Sequence, residues 1–127
     1  MISGIGIDIV DIRRIDKLLK KNGERFLHKI FTAEEIEISK NYRGKKYAAY
    51  FAKRFAAKEA VAKALSSGFG KNLEWREINI GKEKSGRPVI MLKGKARKLA
   101  GENTSLHLSI SDEYPFAVAM VAMEGGD

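Results

Sequence analysis

The chain has 127 residues, a formal net charge of +8, 44% hydrophobic residues and 31% charged residues. That length supports one domain, able to bury about two-thirds of its unfolded surface without crosslinks or a structural metal. It contains no cysteine and only two histidines, His28 and His107, which excludes disulfides, thiolate zinc sites and cysteine nucleophiles and leaves oxygen donors suited to Mg²⁺, Mn²⁺ or Ca²⁺.

Residues 2–9 alternate as a strand does, with Ile5, Ile7 and Ile9 on one side and Gly4, Gly6 and Asp8 on the other. Glycine weakens a strand, so this second face implies a close approach to the backbone, by a ligand or by a packed helix. Asp11 reads as a helix start. Ile12, Ile15, Leu18 and Leu19 form its apolar stripe, and Arg13, Arg14, Lys17, Lys20 and Lys21 form a basic face, either solvated or docking an acidic partner. Asn22-Gly23 predicts the end of that helix. Thr32 with Glu35 matches a capping box for the next one, which gives Glu35 a structural role ahead of a catalytic one.

A long alanine-rich helix is predicted over 46–65, closed by Ser66-Ser67-Gly68-Phe69-Gly70. Those small residues suit either a helix C-cap or a phosphate cradle of backbone N–H groups. Beyond Asn72 the pattern changes to strands, over 75–81 and 88–92 around a turn at Lys84-Ser85-Gly86-Arg87, then a short helix over 95–100. A final hairpin pairs 106–111 with 116–123. In it Leu106, Leu108 and Ile110 face the core, while His107, Ser109 and Ser111 face away. The order of elements predicts one α+β domain over 1–127.

The segment Arg54-Phe55-Ala56-Ala57-Lys58-Glu59-Ala60-Val61-Ala62-Lys63-Ala64 carries the chemistry. Phe51, Phe55 and Glu59 are spaced by four, so an acid enters a stripe that begins aromatic, with Lys63 one turn on and Arg54 and Lys58 beside it. A carboxylate ringed by cations suits a metal and a polyanionic substrate. The alternative is a solvated i,i+4 pair of Glu59 and Lys63 worth ~0.2–0.5 kcal/mol.

The surplus of positive charge points to an anionic partner: nucleic acid, an acidic protein, a phosphorylated small molecule or anionic lipid. No apolar run approaches the roughly 20 residues of a membrane span. The apolar N-terminus lacks a basic start and is interrupted by Asp8 and Asp11, so no signal peptide and a cytoplasmic location are expected.

Taken together, Gly4-Ile5-Gly6-Ile7-Asp8-Ile9-Val10, the 54–64 helix segment, Ser85-Gly86-Arg87-Pro88 and the 106–112 strand resemble a known family, from residue 4 to about residue 122. It is the holo-acyl-carrier-protein synthases, the small bacterial phosphopantetheinyl transferases. The resemblance implies a long central helix packed on a mainly antiparallel sheet. It implies transfer of the phosphopantetheine arm of coenzyme A to a serine of apo acyl carrier protein, releasing adenosine 3′,5′-bisphosphate, in support of fatty acid biosynthesis. Asp8 and Glu59 fall on Mg²⁺ ligands and, with Lys63, on the catalytic positions. Lys63 falls near the coenzyme phosphates, Arg54 and Lys58 on neighbouring basic positions, and Ser66, Ser67, Gly68, Gly86, Arg87 and Pro88 on segments lining the nucleotide. His107 matches a position on the strand bordering the same cleft. The resemblance further implies a homotrimer with sites between protomers, with neither membrane nor nucleic acid as partner. Acyl carrier proteins are acidic, so Arg14, Lys17 and Lys21 become the expected docking stripe.

Departures are Ser66, where glycine is common, Asp112, where histidine is common, and Arg87 in place of a lysine. The base for the carrier serine is not fixed: Glu59, directly or through water, comes first, Glu35 second, and His107 is expected as a cleft-lining residue rather than a base. Two rivals are a small RNA-binding protein, which the charge favours but the lack of an exposed run of aromatics on the strands does not, with Phe51, Phe55 and Phe116 expected in the core, and a non-catalytic acid-binding scaffold using the Arg14 helix.

Overall fold

In the computed structural model, which describes residues 1–125, ten elements follow in chain order. They are β1 (Ile2–Asp11), α1 (Ile12–Ile30), α2 (Ala33–Ser39), α3 (Lys45–Ala64), a 3-10 turn (Trp75–Glu77), β2 (Ile78–Lys82), β3 (Pro88–Leu92), α4 (Gly94–Ala100), β4 (Ser105–Glu113) and β5 (Phe116–Glu124). β1, β5 and β4 form an antiparallel sheet in that order, and β2 pairs with β3 in a separate hairpin. α3 lies across one face of the three-stranded sheet and touches all its strands. The expected α+β architecture, with a long helix on an antiparallel sheet, is what forms.

Small residues let helix and sheet meet this closely. A Cβ on Gly6 would collide with the Ala60 carbonyl oxygen, and one on Gly4 with that of Ala64. The bare face of β1 is therefore filled by the α3 backbone, the second of the two approaches that the sequence allowed. Ala56, Ala57, Ala60, Val61, Ala117, Ala119 and Val121 fill the rest of that contact and are fully or almost fully buried.

Two features depart from the sequence reading. The first helical stretch does end at Asn22 (φ −140°, ψ 47°), but only in a kink: a second stretch follows directly and α1 runs on as far as Ile30. Leu27, Ile30 and Phe31 are core residues, so burial carries the chain past a residue pair with poor helix propensity. Phe116, expected in the core, is 46% exposed because its register places it on the other face of the sheet. That outer face is apolar: Ile5, Ile7 and Ile9 stand beside Ala122, Met120 and Val118.

Candidate active site

Asp8 lies on the α3 side of β1, one row beyond Gly6, and its side chain is mostly buried. Because the glycines let α3 settle onto β1, Glu59 and Lys63 arrive beside it. Lys63 Nζ donates to Asp8 Oδ1 at 3.2 Å and to the Ile7 carbonyl oxygen at 2.8 Å. Burial raises the pKa of Glu59, the negative charge of Asp8 raises it further, and Lys63 and Arg14 oppose both. Two carboxylates thus share one half-buried niche, with each other's charge partly uncompensated.

Among the described residues no three acids or histidines cluster as a metal cage. Two neighbouring carboxylates fit Mg²⁺, which keeps one or two protein carboxylates and takes its other ligands from phosphate and water. The donor set therefore suits a metal that arrives with a phosphorylated substrate.

A second cluster occupies the same face of the sheet. Register rows run Asp8–Ala119–Ile110 and Val10–Ala117–Asp112 across β1, β5 and β4. Asp8 therefore lies two strands, about 10 Å, from Ile110. There Ile110 and Asp112 border a cavity of about 470 Å³ that is also lined by Lys46, Lys53, Arg54, Lys82, Gly86 and Pro88. Arg54 is 5% exposed, its guanidinium 3.8 Å from the centre of the Tyr50 ring. Its Nε has no hydrogen-bond partner. Lys46, Lys53 and Lys82 were not singled out in the sequence. Lys46, Tyr50, Lys53 and Arg54 share one stripe of α3 (i, i+4, i+7, i+8), so that periodicity was the available signal. Lys82 arrives from β2 and carried none.

Several predicted residues lie elsewhere. Lys58, expected near the coenzyme, has no solvent exposure: Nζ lies 2.8 Å from Glu35 Oε1 and donates to the Ile78 and Trp75 carbonyls at 2.6 and 3.2 Å. It braces α2 and β2 against α3, and no ligand reaches it. Glu35 is equally closed, accepting from Thr32 N at 2.9 Å and Ile80 N at 2.7 Å while Thr32 Oγ1 caps its own N–H. That removes it as a base.

Ser66 and Ser67 form a helix cap rather than a cradle. Ser67 N donates to the Ala62 carbonyl at 3.0 Å and Ser66 N to that of Lys63 at 3.1 Å, a Schellman arrangement with Ser66 at φ 56°. Their N–H groups are thereby used, while Gly68 is exposed just beyond. Gly86 and Pro88 reach the cation-lined cavity, whereas the exposed Arg87 side chain pairs with Glu83 at 3.3 Å. His107 points from the outer sheet face, 3.1 Å from Glu124, and so turns away from its own chain's Asp8. Arg14, Lys17 and Lys21 are exposed along α1, with the Arg14 guanidinium 5.7 Å from the Phe55 ring centre. A larger hollow of about 1050 Å³, between α2, the 3-10 turn and β3, contains none of the predicted site residues.

Comparison with known proteins gives one consistent answer. Holo-[acyl-carrier-protein] synthase of Brucella ovis is 45% identical over 130 aligned positions, covering 98% of this chain and 96% of the relative. Among solved structures, a holo-(acyl-carrier-protein) synthase from Bacillus anthracis in complex with CoA (3′,5′-ADP) is 36% identical at TM-score 0.85, covering 99% of both chains. The Helicobacter pylori holo-[acyl-carrier-protein] synthase in complex with coenzyme A is 37% identical at TM-score 0.82, covering 94% of this chain and 99% of that one. The profile of the 4′-phosphopantetheinyl transferase superfamily matches residues 4–119, and the chain belongs to that superfamily.

Proposed function

We propose that this chain is a holo-acyl-carrier-protein synthase: it transfers the 4′-phosphopantetheine of coenzyme A to a serine of apo acyl carrier protein, with Mg²⁺, in the cytoplasm and in the service of fatty acid biosynthesis. The observation that carries this reading is the meeting of Asp8, Glu59 and Lys63 on the same sheet face as a cavity ringed by Lys46, Lys53, Arg54 and Lys82. Coenzyme A carries a diphosphate and, separately, a phosphate on its ribose. Within one protomer the carboxylate niche and the cationic cavity are separated by the α3–sheet contact over Ala117 and Ala119, so a coenzyme that meets both would lie between protomers, at the niche of one and the cavity of the next.

In the transfer, the carrier serine oxygen forms a bond to the phosphorus bearing the pantetheine arm. The bond from that phosphorus to the bridging oxygen breaks, and adenosine 3′,5′-bisphosphate leaves with the electron pair. Such chemistry is governed by positioning and charge neutralisation. Asp8 and Glu59 would hold Mg²⁺, which supplies neutralisation of the diphosphate oxygens when bound. Lys63, already anchored to Asp8 and the Ile7 carbonyl, is placed to offset charge on the leaving diphosphate oxygen. Glu59 would take the serine proton directly where metal ligation leaves one of its oxygens free, or otherwise through a bound water.

Arg14, Lys17 and Lys21 would steer the acidic carrier toward this niche. The apolar outer sheet face, with Ile5, Ile7, Ile9 and Met120 each at least 44% exposed, supports a homotrimer that covers it. His107 on that face would then border a neighbouring protomer's site rather than its own.

Mass spectrometry of apo acyl carrier protein incubated with this protein, coenzyme A and Mg²⁺, beside a chelator control, tests the reading. A gain of one phosphopantetheine that is absent with chelator is expected. No gain with several apo carriers would overturn it.

A further inference from the structure

The cation-lined cavity contains one group of the wrong sign. Asp112 stands on its wall with its side chain 40% exposed, 3.7 Å from Lys53 Nζ. Among the described residues the partner of its carboxylate is Lys53, and Asp112 caps no helix. The distance to Lys53 is too long for a strong hydrogen bond, and both partners meet solvent, so the pair adds little to stability. Its effect falls on whatever enters the cavity. Lys46, Lys53, Arg54 and Lys82 together favour a doubly charged phosphate monoester. Asp112 repels such a dianion and competes with it for Lys53.

Resting on the transferase reading, we propose that Asp112 weakens the cavity's hold on the ribose phosphate, and so sets how readily both coenzyme A and the product adenosine 3′,5′-bisphosphate are released. Substrate and product carry the same phosphate monoester, so an all-cationic cavity would hold the product as firmly as the substrate. A single carboxylate in the wall lowers both affinities together, which hastens product departure at the expense of a higher KM. The register places Asp112 in the row next to that of Ile110 on β4, among the cavity's lysines, so its charge acts on the phosphate that enters the cavity.

The test is calorimetric binding of adenosine 3′,5′-bisphosphate and of adenosine 5′-monophosphate to the wild type and to Asp112→Asn, with turnover measured in parallel. Asp112→Asn should tighten the bisphosphate about fivefold and leave the monophosphate within about twofold. The KM for coenzyme A should fall in step, and product inhibition should grow stronger. Lys53→Met should weaken the bisphosphate, and adding Asp112→Asn to it should still tighten binding, because direct repulsion remains. Equal shifts for both nucleotides, or weaker bisphosphate binding in Asp112→Asn, would overturn the proposal while leaving the transfer reaction standing. Absence of turnover and of nucleotide binding in the wild type would remove both.

Discussion

Lys58 Nζ and Glu35 Oε1 lie 2.8 Å apart, and neither side chain is exposed. This pair joins α3 to α2, and through Glu35 Oε2 and the Ile78 carbonyl it also ties in β2. Burial pushes the Lys58 pKa down while Glu35 pulls it back up. Removing one partner strands the other's charge, so Lys58→Met should cost about 3–5 kcal/mol in chemical denaturation. Adding Glu35→Gln should recover part of that loss. The folded fraction of Lys58→Met should bind coenzyme A with unchanged affinity. A selective loss of coenzyme binding in a stable variant would return Lys58 to the active site.

Glu59 gives a prediction in pH. Its pKa is raised, first by burial and then by Asp8. A carboxyl raised on folding contributes stability that is complete below its unfolded pKa and lost as pH rises through the folded one. At neutral pH the ionised Glu59 is therefore a liability that glutamine does not share. Solvent screening at this half-exposed site keeps the effect small. Glu59→Gln should raise the Tm of the metal-free protein by roughly 1–3 °C at neutral pH, with the advantage gone around pH 4. Turnover should fall by about a hundredfold or more. A Tm difference that persists unchanged into acid would show that the carboxyl is not perturbed.

Gly6 decides whether the site assembles. Gly6→Ala would drive a methyl into the Ala60 carbonyl oxygen, so β1 and α3 must separate. A loss of about 3 kcal/mol or more is expected, because neighbouring backbone, unlike a flexible side chain, cannot yield. In any folded remainder kcat should drop, since Asp8 and Glu59 are carried apart. Full stability and turnover would mean the two elements are not held this closely.

The α1 stripe separates docking from chemistry. Lys21→Glu should raise the KM for carrier protein several-fold, in a salt-sensitive way, with that for coenzyme A unchanged. Arg14→Glu should raise the carrier KM more than the coenzyme KM and should also lower kcat, because the Arg14 charge helps hold down the pKa of Glu59. Equal effects of either variant on both KM values would exclude docking through this face.

Ser66 sits at φ 56°, a conformation that glycine adopts freely. Ser66→Gly should stabilise the chain by roughly 0.5–1 kcal/mol, the relief of left-handed strain outweighing the added chain entropy. Because the N–H groups of this turn bond back into α3, the KM for coenzyme A should stay within about twofold. A large change in that KM would place the turn against the nucleotide after all.

Short-range rules made much of this protein legible in advance. Alternation along β1 separated Ile5, Ile7 and Ile9 from Gly4, Gly6 and Asp8, and the Thr32–Glu35 capping box formed as its spacing required. Four-residue periodicity set Glu59 and Lys63 one turn apart on α3. Those patterns depend only on backbone geometry, which is local. Tertiary structure alone decided which cations are free and which face of each element is covered. Arg54 and Lys58 look alike in the sequence, one turn apart, yet Arg54 borders an open cavity while Lys58 is closed off by Glu35. The isoleucine face of β1, the more apolar of the two, was left outside because only the glycine face admits α3 at this distance. Lys82 and Asp112, far apart in sequence, met at one cavity through strand register and packing. Such encounters follow from which surfaces bury each other, a property of the whole chain that no local pattern contains.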